Sequence, residues 1–175
     1  MTAAQFAGAP DYAEALDGWR AWRVVERAGE LLLGSVVKRT LWPVGEPFVA
    51  DCLRRRPLIR RRRATHDAPE FECDCGIYAT TIECVGRYLL DPFPVDAVAV
   101  VLGRVAVWGT VVECERGMRA SHAYPLEVYV PADAGKRGKF QPGELAGRLA
   151  AYQVPVEVLT APADEALRLL SASPC

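Results

Sequence analysis

Apolar and polar positions along this chain outline mostly strands. Trp19 to Val25 mixes large apolar with charged residues, Ala28-Gly29 offers a turn, and Leu31 to Val37 is apolar again, which predicts the first two strands of a meander. Trp42-Pro43-Val44-Gly45-Glu46-Pro47 is punctuated by Pro and Gly and predicts a loop, after which Phe48-Val49-Ala50 predicts a short extended piece running into Cys52. From Ile77 to Leu90, the residues Ile77, Thr81, Cys84 and Tyr88 recur at helical spacing, and Asp91-Pro92 with Phe93-Pro94 stops the run. A short helix is predicted there.

The strongest strand pattern runs from Val95 to Val112, where Val98, Val100 and Leu102 are followed, after Gly103, by Val105, Val107 and Val111. Glu115-Arg116-Gly117 predicts a turn, and Met118 to Val130 predicts a strand pair interrupted by Pro125. Pro142-Gly143 opens a predicted helix that runs to Tyr152, Val154 to Leu159 a last strand, and Asp164 to Leu170 a closing helix. Residues 1–16 are Ala-rich without periodicity and predict a flexible N-terminal arm. Residues 17–175 then form one α+β domain, with segment 48–91, central hairpins over 95–131 and a helix-strand-helix over 142–170.

Composition narrows the function. The chain has 175 residues, about half of them apolar, and a formal net charge of −1, so the whole molecule has no general pull toward nucleic acid or an anionic membrane. No apolar run reaches the roughly 18 residues of a spanning helix, and the start has no leader pattern, so a cytoplasmic location is expected. In a reducing compartment, clustered cysteines point to metal or catalysis before disulfides.

Cys52, His66, Cys73 and Cys75 form such a cluster, with thirteen, six and one residues between them. Three thiolates and an imidazole make a closed tetrahedral set for zinc, and four donors fill the position that a hydrolytic metal keeps open. Gly76 permits the chain to reverse directly after the tight Cys73-Asp74-Cys75 pair. The same donors suit an iron-sulfur cluster, and three small buried thiols beside a surface histidine are the structural alternative. The expected architecture is therefore an antiparallel β-meander or small barrel with a metal-pinned loop and two or three short helices.

An extended pattern runs through Ala50-Asp51-Cys52, His66-Asp67-Ala68-Pro69, Cys73-Asp74-Cys75-Gly76-Ile77-Tyr78-Ala79, Trp108-Gly109-Thr110-Val111-Val112-Glu113 and Gly117-Met118-Arg119-Ala120. It resembles a group of uncharacterised bacterial proteins, frequent in actinobacteria, over residues 18–130. The resemblance implies that Cys52, His66, Cys73 and Cys75 act as one site, and it transfers no activity.

Two further features carry chemistry. Seven arginines lie between Arg54 and Arg63, the last four being Arg60, Arg61, Arg62 and Arg63. They predict a grip on an acidic protein partner or on phosphates, or a solvated loop. Trp108, Glu113 and Arg119 on a central hairpin predict a second part of a docking surface, and with His122 nearby an acid-base site is the alternative. Cys84 reads as core packing, and no Ser/His/Asp, phosphate-loop, dinucleotide or HExxH pattern is present. The expected function is a non-catalytic, zinc-stabilised binding or adaptor domain, with a metal-thiolate redox or sensor protein as the alternative.

Overall fold

A computed structural model describes residues 11–52, 66–89, 95–135 and 139–172. They form a mixed sheet of seven strands with three short helices. Strand β1 (Asp11–Arg27) turns at Ala28-Gly29 into β2 (Glu30–Ser35), and the two pair antiparallel as the sequence predicts. β1 already starts at Asp11 rather than at Asp17, because Asp11, Tyr12 and Leu16 pair with Thr110, Gly109 and Val107. Residues 11–16 of the expected arm are thus ordered by a partner some 90 residues away. The rest of the arm lies outside the described residues.

Strands β3 (Phe48–Val49) and β4 (Ile77–Thr80) both pair with the long strand β6 (Gly117–Val130), which also pairs with β5 (Ala99–Cys114). β1 pairs with β5, so the four strands β1, β5, β6 and β4 bond in a ring. The ring is not a barrel. Among the described residues β4 meets β1 through one pair, Trp19 with Thr80, too little to carry a continuous ladder round the circle.

Two departures from the expected elements have plain causes. Ile77–Thr80 is a strand rather than the start of a helix: Ile77 and Ala79 are buried and Tyr78 is exposed, an alternation of period two, and β6 offers Gly117 to Ala120 as partners. The helix α1 is confined to Ile82–Val85, continued by a 3-10 turn over Gly86–Tyr88. Pro125 does not split β6 either. Opposite Val105 it takes a bulge in which Leu126 is the extra residue, so the strand keeps going despite the lost N–H.

A second bulge lies across from Ser121, where Gly109 adopts φ +74 and the register slips between Trp108 and Val111. Ser121 Oγ satisfies the disturbed backbone by accepting from Thr110 N at 3.0 Å and donating to the Trp108 carbonyl at 3.3 Å.

Beyond the long hairpin, α2 (Pro142–Leu149) is followed by a 3-10 turn over Ala150–Tyr152, β7 (Val156–Val158) and α3 (Ala163–Ala172). β7 pairs parallel to β6, so the sheet is not the purely antiparallel meander expected. The intervening helix explains this, because a parallel return needs a crossover. Leu145 and Leu149, one helical turn apart, bury fully in a core that also holds Trp22, Trp42, Leu33 and Tyr152. The Tyr152 hydroxyl ties that core together: it accepts from Leu33 N at 2.9 Å and donates to the Trp42 carbonyl at 2.8 Å. Among the described residues no helix is long and apolar enough to cross a membrane.

Arg23 is buried in the middle of β1 and donates to the Ser35 carbonyl at 2.7 Å and to the half-exposed Asp96. That hydrogen bond holds the Asp96 carboxyl below the ordinary carboxylate range. A lowered pKa means stability that is present above the unfolded value, about 3.9, and is lost as pH falls through the folded one. Asp96→Asn is expected to cost about 1 kcal/mol at pH 7, the carboxylate being half in water. In urea titrations the gap between variant and wild type should close below about pH 4. A gap of constant size would show that the pair contributes nothing through its charge.

Candidate metal centre

The centre is assembled from three pieces of chain. Cys52 follows β3, whose end is fixed when Ala50 N donates to the Ser121 carbonyl at 2.7 Å. His66 opens the next described segment, and Cys73 and Cys75 sit on the loop that leads into β4. This loop turns back when Cys73 N donates to the Glu70 carbonyl at 3.1 Å. Gly76 then leaves it with φ +114, a conformation closed to other residues at low cost, and an added Cβ would stand 3.0 Å from Pro69 Cβ and 3.1 Å from Arg119 Cβ.

The four side chains converge. Their ligating atoms lie within 4.8 Å of one another, with Cys52 Sγ 3.7 Å from Cys73 Sγ and Cys75 Sγ 3.5 Å from His66 Nε2. Cys73 and Cys75 are buried and pack with Ala68, Ala50 and Cys52 in a small cluster apart from the main core. Together the four can hold a metal ion.

The thiols show why a cation fits. Burial pushes Cys73 up, but hydrogen bonds from Cys75, Cys52 and His66 outweigh it and bring it down to about 7. Cys75 is driven up to about 11, first by burial and then by the neighbouring sulfur, although a backbone contact at Glu70 works the other way. One thiolate therefore forms readily, and the second meets its charge. A divalent ion between them removes that repulsion.

Arg119, expected on a docking surface, is buried beneath this loop. It donates to the carbonyls of Glu70 at 3.2 Å and Cys75 at 3.0 Å, and to that of Cys73. Because Arg119 sits on β6 opposite Tyr78, the guanidinium bolts the loop to the sheet. No signal in the sequence separates this arginine from a surface one.

The other expected site residues fall elsewhere. Trp108 stacks on His122 with ring centroids 5.9 Å apart, and His122 Nδ1 is 2.8 Å from Ser121 Oγ. Glu113 is exposed and stands opposite Met118, five residues from Trp108 along β5 and so roughly 15 Å away. Glu113, His122 and the inward-turned Arg119 do not gather into one acid-base site. Cys84 is half-buried on α1, and Cys114 is exposed at the end of β5. Arg60, Arg61, Arg62, Arg63 and Cys175 lie outside the described residues.

No protein-family model, curated protein or solved structure matches this chain. What the centre can do follows from its own donor set: three sulfurs and one imidazole nitrogen, enclosed on the sulfur side and anchored through Arg119.

Proposed function

We propose that this chain is a non-catalytic binding or adaptor domain stabilised by one zinc ion on Cys52, His66, Cys73 and Cys75. The observation that carries the reading is the pair of ligand separations, 3.7 Å between sulfurs and 3.5 Å between sulfur and nitrogen. Zinc bonds of about 2.3 Å to sulfur and about 2.0 Å to nitrogen, set at tetrahedral angles, give edges of roughly 3.8 and 3.5 Å. A multi-iron cluster spreads its ligands over more than one metal, so four donors this close favour a single ion.

Four protein donors complete the coordination, which supports a structural rather than a hydrolytic ion. Such an ion would fix both ends of the arginine-rich segment between Cys52 and His66, so that its seven arginines leave from one point. Arg60 to Arg63 would then meet an acidic protein partner, with the half-buried Trp108 as a second contact. Arg119 has no part in that surface.

The test is elemental analysis with an absorption spectrum on protein purified without a metal-affinity column or chelator. One equivalent of zinc in a colourless sample is the expected result. Iron with a brown chromophore would replace this reading by a redox or sensor protein, and a metal-free sample would end both.

A further inference from the structure

A cleft of about 540 Å³ opens beside the metal loop, between that loop and the first hairpin. Its size falls within the range of small-molecule sites, about 300–1,000 Å³. Trp19, Phe48, Ile77 and Tyr78 give it flat apolar walls.

Arg20 lines the same cleft. Its guanidinium is desolvated enough that burial pulls its pKa down to about 10, so it is still a cation at neutral pH. It donates Nη1 to the Tyr78 carbonyl and lies 5.2 Å from the Trp42 ring centroid, but its buried Nε has no hydrogen-bond partner. Among the described residues no carboxylate pairs with it. Arg20 as a whole is half-buried, but a guanidinium N–H buried without an acceptor is costly, and a bound anion removes that cost.

Other charges refine the picture. Lys38 also lines the cleft, while the exposed Asp51 and Asp74 line it from the metal-loop side. Among the described residues the cleft therefore carries charges of both signs. One half-buried cation among apolar, aromatic walls matches one carboxylate on a flat apolar body. We propose that this cleft binds a small aromatic carboxylate, its charge on Arg20 and its ring between Trp19, Phe48 and Tyr78. This site goes beyond the zinc-stabilised adaptor and is independent of any protein partner.

The experiment follows amide and indole chemical shifts of the full chain while benzoate is added, with benzyl alcohol and benzylamine as uncharged and cationic controls of the same size. Benzoate should bind with a dissociation constant of about 1 mM or below, reasonable for so few atoms, and shift residues that line the cleft. Both controls should bind at least tenfold more weakly. Arg20→Met should lose benzoate binding by tenfold or more. Val49→Trp serves as a second variant that spares Arg20, since Val49 is exposed at the cleft and a large ring there should obstruct it.

Benzoate binding no better than benzyl alcohol, or binding unchanged in both variants, would overturn the proposal. Metal content is measured on the same samples. Protein that holds one equivalent of zinc yet ignores benzoate therefore sinks the cleft and leaves the metal reading standing.

Discussion

Cys75→Ser is expected to empty the metal centre and to remove at least about 3 kcal/mol of folding stability, a large part of the 5–15 kcal/mol that an ordinary domain has. The sulfur it removes is buried and stands 3.5 Å from His66 Nε2, so no other donor can replace it without moving the loop. A serine hydroxyl keeps its proton near neutrality and is a poor ligand for a soft-accepting ion. The metal content should fall from one equivalent to near zero, and the melting temperature should drop to that of wild type stripped with a strong chelator. Cys84→Ser is the control. That thiol is half-buried on α1 outside the cluster, and its loss should leave the metal content unchanged. A Cys75→Ser protein that melts with wild type and retains its metal would show that the four side chains are neighbours without being ligands.

The second large effect is expected at Arg119. Arg119→Met keeps much of the side chain's length and volume but removes the donors that serve the Glu70, Cys73 and Cys75 carbonyls. Leaving buried acceptors unsatisfied costs about 1–3 kcal/mol each, so a loss of roughly 3 kcal/mol is expected after some of them find water. Because these carbonyls belong to the loop that carries Cys73 and Cys75, metal affinity should fall together with stability. Hydrogen exchange separates the two effects: amides of residues 66–76 should lose protection while those of the β5 and β6 ladder keep theirs. Arg119→Lys should recover part of the stability, since an ammonium reaches some but not all of a fork of carbonyls. Unaltered exchange in the loop of the Met variant would rule out the clamp.

The candidate centre was legible in the sequence because ligand chemistry is a property of residue types. Cys52, His66, Cys73 and Cys75 stand out as thiolates and imidazole in a polar stretch with little else to pack them, and Gly76 marks the reversal they need. The β1–β2 hairpin, the long strand before Cys114 and the α2, β7, α3 order were legible too, since turns and apolar periods are local. Ile77–Thr80 was not, because Ile77 fits both the helical spacing with Thr81, Cys84 and Tyr88 and the strand alternation with Ala79. Pairing with Gly117 to Ala120 chose between them.

What the sequence by itself determined, then, is an inventory: most of the elements, where the chain turns, and which four side chains are chemically suited to one ion. The tertiary structure decided which charges face inward. Arg119, Arg20 and Arg23 look alike in the sequence, yet one is bonded to loop carbonyls, one lines a cleft with an unpartnered Nε, and one is paired with Asp96. The physical reason is that a guanidinium takes its role from acceptors supplied by distant parts of the chain. Those acceptors are brought to it only when β1, β4 and β6 come together in one sheet.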